Sequence, residues 1–211
     1  MDPTAASPTL MTSDGVRLAA DLVVPDGARA GAVLLHPHPR FGGNRLNAVV
    51  AALFRSLPDA GIAALRFDFR AGAGAEAGDL APERLDARAA LDVLHERLPD
   101  VPLFVVGYSF GAAVALGAEH PAVAARVAVA PPVAVMDVGR PAPLPTLLVV
   151  PAFDQFSPPS AVTPIVEDWP DTTVEVVAGA DHFLVGHAAA AAELATAWLV
   201  SQLSHHGQPH G

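Results

Sequence analysis

The sequence of 211 residues has the length of one ordinary domain, and its 52% of hydrophobic residues suffices for a buried core. It contains no cysteine, which excludes disulfides, thiolate catalysis and cysteine-based zinc sites and favours the reducing cytosol. The net charge of −10 opposes binding to nucleic acid or anionic lipid as the main partner. We find no signal-peptide pattern and no apolar run long enough for a membrane span, so we expect a cytoplasmic protein.

Apolar runs bounded by glycine, proline and polar turn residues predict a chain in which strands and helices alternate. The first two runs flank Ser13-Asp14-Gly15, a turn that favours an antiparallel hairpin. The strands are predicted at residues 9–12, 16–24, 30–35, 62–68, 103–106, 123–130, 147–151 and 173–177. The helices are predicted at residues 44–57 with Asn44 as N-cap, at 82–98, from the turn after residue 107 to 119, at 160–169 and at 186–203.

This alternation predicts an α/β fold with a mostly parallel twisted sheet, an N-terminal antiparallel hairpin and helices on both faces. Residues 131–145 contain five prolines and Gly139, so we expect a short covering loop there and only a minimal lid. We find no internal repeat or linker. The chain is therefore predicted to form a single domain over residues 1–211, with 204–211 as a frayed polar tail.

The segment 103–115 has the pattern of a strand, a sharp turn and a helix, with Ser109 at the apex of the turn. A serine held on such a turn sits in strained backbone, and the neighbouring chain must pass close by. Side chains at Gly107 or Gly111 would then collide with that chain. The Gly-x-Ser-x-Gly pattern is only moderately specific by itself, so a nucleophile at Ser109 also requires a base, an acid and an oxyanion-binding loop.

His182 is the best candidate for the base, because it follows the last predicted strand and precedes the last helix. His120 adjoins Pro121 at a helix end, and His187 fits a helix cap or a surface position. Asp154 is the best candidate for the acid, since it directly follows the strand before that of His182. The competing carboxylates lie in the covering loop, around a helix end or beside the histidine itself: Asp137, Asp168, Asp171 and Asp181.

A tetrahedral intermediate needs at least two preorganised hydrogen-bond donors for its oxyanion. We expect one to be the backbone N–H of Phe110, directly after the serine. The second should come from the loop after the strand at 30–35, where Pro37 and Pro39 have no N–H to offer. The backbone N–H of His38 is the best candidate there, with Arg40 as the alternative.

The same loop also allows a metal hypothesis, because His36 and His38 are two residues apart and could chelate an ion. No third ligand is suggested nearby, so we expect no metal. The glycines of 72–78 resemble a phosphate loop only loosely, since the Gly-Lys-Ser/Thr ending is missing. No cofactor is expected.

Taken together, these motifs resemble those of the α/β-hydrolase superfamily, and more narrowly its small, nearly lidless bacterial members similar to dienelactone hydrolases and to the core of X-Pro dipeptidyl-peptidase-type enzymes. The resemblance covers nearly the whole domain. The motifs are His36-Pro37-His38-Pro39, Gly42-Gly43-Asn44, Arg66-Phe67-Asp68-Phe69-Arg70, Gly107-Tyr108-Ser109-Phe110-Gly111, Asp154 and Gly179-Ala180-Asp181-His182-Phe183.

The resemblance implies a Ser109-Asp154-His182 triad that transfers an acyl group to water. Two features depart from the family pattern. Arg70-Ala71-Gly72-Ala73-Gly74 replaces an expected Arg-Gly-x-Gly-x-Ser run, which leaves the conformation of that loop open, and the cysteine nucleophile of a dienelactone hydrolase proper is absent.

The predicted function is hydrolysis of small, short-chain carboxylic esters by a serine esterase, because the loop at 131–145 alone can cover only a shallow pocket. The substrate pocket is expected to include Phe41, Tyr108, Phe153 and Phe156. Two alternatives stay open: a peptidase or amidase with the same fold, and a non-catalytic binding protein. The sequence leaves the oligomeric state and the natural substrate undetermined.

Overall fold

The structure, a computed structural model, describes residues 6–73 and 79–206. Its strands are β1 Thr9–Met11, β2 Arg17–Val23, β3 Ala30–Leu35, β4 Ile62–Phe67, β5 Leu103–Tyr108, β6 Val123–Val129, β7 Thr146–Phe153 and β8 Thr172–Asp181. Its helices are α1 Ala48–Asp59, α2 Ala81–Arg97, α3 Phe110–Leu116, α4 Pro159–Val166 and α5 Ala188–His206, with a 3-10 turn at Pro39–Phe41.

The strands form one eight-stranded sheet in the order β1-β2-β4-β3-β5-β6-β7-β8. The pairs β1-β2 and β2-β4 are antiparallel, and every pair from β4 to β8 is parallel. The predicted fold class is therefore confirmed, including the antiparallel hairpin at the start. The carboxyl ends of β3, β5, β7 and β8 all lie at one edge of the parallel part, which is where such folds place their functional side chains.

Both faces of the sheet are buried under helices. One core lies beneath α2, α3 and α4 and includes Leu91, Val114 and Val162, all of them fully buried. The other lies beneath α1 and α5 and includes Leu53 and Leu199. The central strands β3 and β5 are buried at every position, as expected for parallel strands that are covered on both sides.

Helix α1 begins later than the sequence predicted. Its N-cap is Asn47, whose side-chain oxygen accepts from the N–H of Val49 at 3.0 Å, so the prediction of Asn44 as N-cap is wrong. Asn44 accepts instead from the N–H of Leu46 at 2.8 Å, in a turn that precedes the helix. Both residues make the same kind of local bond, and the chain becomes helical only after the second.

Three other helices end about three residues from the predicted positions. Helix α3 stops at Leu116 rather than at 119, with Gly117 as its C-cap, and helix α4 stops at Val166 rather than at 169. Helix α5 continues to His206, beyond the predicted end at Leu203. Residues 207–211 of the predicted tail, and residues 74–78 of the glycine-rich loop, lie outside the described residues.

The turn between β5 and α3 depends on two glycines. A Cβ on Gly107 would overlap the carbonyl group of Gly111, and a Cβ on Gly111 would overlap the carbonyl group of Leu35 at the end of β3. The obstacles are backbone atoms, which cannot move aside as a flexible side chain can. The backbone of the turn between β5 and α3 is thus in direct contact with the end of β3.

None of the helices in residues 6–73 and 79–206 has the length and apolar character needed to cross a bilayer.

We predict that Gly107→Ala destabilises the fold by about 3 kcal/mol or more, because its Cβ would overlap backbone. The measurement is the free energy of unfolding from urea denaturation. Gly27→Ala is the matched control: Gly27 has a φ of +65° but open space around it, so its cost should be only about 1–2 kcal/mol. Equal losses of unfolding free energy in the two variants would show that the close backbone contact is not the reason why glycine is required at position 107.

Candidate active site

Ser109 stands on a strained turn at the end of β5. Its φ of 54° and ψ of −116° are unusual for a residue with a side chain. The turn is fixed from both sides, since the N–H of Ser109 donates to Val129 on β6 at 2.9 Å and the Ser109 carbonyl accepts from Ala112 in α3 at 2.9 Å. The strain presents the hydroxyl beyond the sheet edge, at the start of α3.

His182 and Asp154 form a hydrogen-bonded chain with this serine. The Nε2 atom of His182 lies 2.9 Å from Ser109 Oγ, and its Nδ1 atom lies 2.8 Å from Asp154 Oδ2. The carboxylate can only accept, so Nδ1 carries the proton and Nε2 is free to accept from the serine hydroxyl. The structure therefore brings the three predicted residues together in the order that proton transfer from serine requires.

The Asp154 side chain is fully buried, yet it is held in its charged form by hydrogen bonds. Its Oδ1 accepts from the backbone N–H of Phe156 at 2.8 Å and of Ser157 at 2.9 Å, while Oδ2 faces His182. Burial alone would raise the pKa of this carboxyl, but the bonds from His182, Ser157 and Phe156 outweigh it and lower the pKa below the ordinary value. The Asp154 carboxylate is thus negatively charged at neutral pH, next to Nδ1 of the imidazole.

The main chain of His182 is clamped as well. The Tyr108 hydroxyl donates to the His182 carbonyl at 2.9 Å, and the Gln155 side-chain oxygen accepts from the His182 N–H at 3.1 Å. Burial raises the pKa of Tyr108 to about 12, so the phenol remains a donor at ordinary pH. The Phe156 ring meets the imidazole edge to face at 4.6 Å between ring centroids. The histidine is therefore positioned through both its backbone and its ring.

The competing candidates are engaged elsewhere. Among the histidines, His120 lies 3.4 Å from Asp92, and His187 bonds to the carbonyl of Val185 at 3.0 Å on the surface. Among the carboxylates, Asp181 caps the N–H of Phe183 at 3.1 Å. Each of these side chains serves a local turn or a surface pair.

The loop after β3, residues 36–43, reaches the same cleft; we call it the oxyanion loop. His38 and Phe110 both line the cleft beside Ser109, and their rings lie 4.8 Å apart between centroids. The N–H of Arg40 donates to the His38 ring nitrogen Nδ1 at 3.1 Å, so it is already engaged, which favours His38 over Arg40 as second oxyanion donor. Phe110 is the first residue of α3, where helix geometry leaves the N–H without an intrahelical acceptor.

His36 has a structural place behind this loop rather than a metal-binding one. Its Nε2 accepts from the N–H of Phe69 at 3.0 Å, so Nδ1 carries the proton and donates to the Pro37 carbonyl at 2.6 Å. Burial lowers the pKa of His36, which keeps the ring neutral. Both ring nitrogens are thus occupied, and the described residues contain no cluster of three or more potential metal ligands.

The cleft beside Ser109 has a volume of about 520 Å³ and a largely apolar wall. Phe41, Tyr108 and Phe156 line it as predicted, whereas Phe153 does not. Phe153 ends β7 paired with Asp181 on β8 and is 69% exposed, so its strand position carries it away from the cleft. Sequence reasoning did not place the other lining residues in the pocket, among them Asn47, Val135, Met136 and Phe183.

The sequence contains weak signals for three of these lining residues. Val135 and Met136 are apolar residues in the covering loop of 131–145, and Phe183 directly follows the predicted base. A phenylalanine directly after the predicted base is a sequence signal for a residue that lines the pocket. Tyr108 was expected as a pocket residue, but its bond to the His182 carbonyl links residues 74 positions apart and has no sequence pattern.

Comparison with known proteins agrees with this fold. A protein of unknown function from Agrobacterium tumefaciens, described as a candidate α/β hydrolase, is 28% identical over 98% of this chain and 100% of its own, with a TM-score of 0.82. An α/β serine hydrolase homologue from Coxiella burnetii is 28% identical over 92% of this chain and 97% of its own, with a TM-score of 0.79. A serine hydrolase without a lid from Xanthomonas campestris is 27% identical over 97% and 94%, with a TM-score of 0.76.

No family model matches the sequence. An uncharacterized protein from Rickettsia prowazekii is 39% identical over 108 residues, which are 48% of this chain and 45% of that protein, so the match spans under half of either. The near-complete structural matches carry the assignment. With an eight-stranded sheet in this order, and with structural neighbours that match almost end to end, the chain has the α/β-hydrolase fold and is similar to small α/β serine hydrolases that lack a lid.

Proposed function

We propose that this protein is a serine hydrolase that cleaves carboxylic esters through an acyl-enzyme intermediate. The observation that carries the proposal is the continuous chain from Asp154 through His182 to Ser109, which ends at the apolar cleft. A buried, ionised carboxylate behind a correctly protonated imidazole is an arrangement suited to activating a hydroxyl group.

The reaction would begin when Ser109 Oγ attacks the ester carbonyl carbon and its proton passes to His182 Nε2. The imidazolium that forms is stabilised by Asp154, 2.8 Å from Nδ1. The negative charge on the carbonyl oxygen would be held by the backbone N–H groups of Phe110 and His38. His182 then protonates the leaving alcohol, and water repeats the sequence to release the acid from the serine.

The wall of the cleft supports an apolar acyl or alcohol group of limited length. Phe41, Val135 and Phe183 are 87%, 63% and 60% exposed, so the cleft is bordered by side chains that are themselves largely in water. Methylene groups beyond this border would remain hydrated and contribute no binding energy. Short-chain esters are therefore the favoured substrates.

The same residues could in principle cleave an amide, which has a poorer leaving group and requires the same proton donor. A p-nitroanilide of the best acyl group distinguishes the two activities. A non-catalytic binding protein is disfavoured by the 2.9 Å contact between serine and histidine, and labelling with a fluorophosphonate probe distinguishes that alternative.

We predict that Ser109→Ala lowers kcat/KM for p-nitrophenyl butyrate by about 10⁴-fold or more, because the nucleophile is removed. The same variant should lose labelling by a fluorophosphonate probe. Ser160→Ala is the matched control, since Ser160 is exposed in α4 and should leave both readouts unchanged. Undiminished turnover by Ser109→Ala would rule out Ser109 as the nucleophile.

We predict that Asp154→Asn lowers kcat by about 10³ to 10⁴-fold while the fold persists. An asparagine retains an oxygen for the N–H groups of Phe156 and Ser157, but its amide group would face His182 Nδ1 and disfavour the required tautomer. Circular dichroism checks the fold, and steady-state kinetics give kcat. Asp168→Asn, at an exposed carboxylate near the end of α4, should behave as wild type; a similar loss in both variants would contradict the role of Asp154.

We predict that kcat/KM rises from p-nitrophenyl acetate to butyrate by up to about tenfold, because two methylene groups can be buried at about 0.8 kcal/mol each. No further rise is expected for octanoate or palmitate. Met136→Ala should reduce the advantage of butyrate, whereas Val185→Ala should not, since Val185 is 78% exposed and lies outside the cleft. A rise that continues to palmitate would contradict the short-chain proposal.

A further inference from the structure

A second cavity lies at the opposite end of α3 from Ser109, with a volume of about 320 Å³. We call it the arginine cleft, because three arginines from different parts of the chain line it. Arg84 comes from α2, Arg126 from β6 and Arg140 from the covering loop. The other lining residues are Leu116, Gly117, Glu119, Asp137, Val138, Gly139, Pro141 and Ala142.

Arg126 is the most unusual of the three. It is only 2% exposed although it carries a positive charge on a central strand. Its Nη1 donates to the carbonyl of Ala142 at 3.0 Å, but its Nε is buried and has no acceptor among the described residues. Burial lowers the pKa of this guanidinium. A charged donor left unsatisfied in the interior costs free energy, which an anion in the cleft would recover.

Arg84 repeats the pattern from the neighbouring helix. Its Nε is also buried without an acceptor in the described part of the chain. The guanidinium lies over Gly117, where any Cβ would overlap it. The absence of a side chain at residue 117 thus makes room for this arginine at the wall of the cavity.

The carboxylates that line the cleft make no direct ion pair with these two arginines, although the charge of Glu119 acts on Arg126 and partly offsets the effect of burial on its pKa. Within residues 6–73 and 79–206, no ion pair joins Arg84 or Arg126 to Glu119, Asp137 or any other acidic side chain. Asp137 is used to cap the N–H of Gly139 at 2.9 Å. Three guanidinium groups against two carboxylates leave a positive balance in a chain whose net charge is −10.

We propose that the arginine cleft is a binding site for a small oxyanion, one that presents two or more oxygens to the guanidinium groups of Arg84, Arg126 and Arg140. Phosphate groups and carboxylates share this chemistry, and guanidinium groups bind both through charge-assisted hydrogen bonds. The site is separate from the serine cleft and does not depend on the proposed ester hydrolysis. The protein would then bind two kinds of ligand, a polar one in the arginine cleft and an apolar one in the cleft beside Ser109.

The test is isothermal titration calorimetry of the whole protein with sodium phosphate and, in a second arm, with sodium succinate. Sodium chloride at equal ionic strength serves as the reference. We expect saturable binding at one site in at least one arm, and the tighter arm identifies whether tetrahedral or carboxylate oxygens fit better. The absence of saturable binding in both arms would overturn the proposal, because the arginines would then be balanced by Glu119 or by solvent.

Variants at Arg84 locate the site. Arg84→Gln and Arg84→Lys should each weaken binding by about tenfold or more, since both remove the guanidinium group and lysine nevertheless keeps the charge. Arg88→Gln is the matched control on the same helix, where Arg88 is 48% exposed and paired with Asp92. Equal binding by Arg84→Lys and wild type, or an equal loss in Arg88→Gln, would mean that only general charge is involved. An unchanged circular dichroism spectrum and urea denaturation midpoint for Arg84→Gln confirm that this variant is folded.

Discussion

The close backbone contact between Gly111 and the carbonyl of Leu35 is the constraint on which the candidate site depends. It joins the start of α3, which carries the N–H of Phe110, to the end of β3, from which the oxyanion loop departs. The parallel register pairs Leu35 with Gly107, so both segments reach the sheet edge at the same level. The distance between Ser109 and the proposed oxyanion donors is thereby fixed by backbone packing, with little dependence on side chains.

Much of the fold could be predicted because its strands are short apolar runs with clear boundaries. The prediction for β3 matches the structure at both ends, since glycine and proline turns or polar residues bracket it. Helix starts were less certain. Asn44 and Asn47 are equally good capping residues, and only tertiary packing of α1 against the sheet decides between them.

For the candidate site, chain order was enough to select Ser109, Asp154 and His182, because parallel strands bring their carboxyl ends to one edge. Side-chain direction could not be obtained in the same way. Phe153 was expected in the cleft from proximity in sequence alone, and the alternation along β7 places it outside. Arg126 carries no distinguishing sequence pattern, since the lack of an acceptor for its Nε is a property of the three-dimensional surroundings.

β8 lies at the open edge of the sheet, and the candidate site depends on its docking there. Among the described residues, β8 pairs only with β7, and most of its residues are partly or fully exposed. His182 follows it directly, whereas Ser109 is held by the buried centre of the sheet. Docking of β8 is therefore required to bring the proposed base to Ser109, although the turn that carries Ser109 belongs to the buried centre of the sheet. Local unfolding of β8 would separate His182 from Ser109 and abolish the proposed activity while most of the hydrophobic core remained folded.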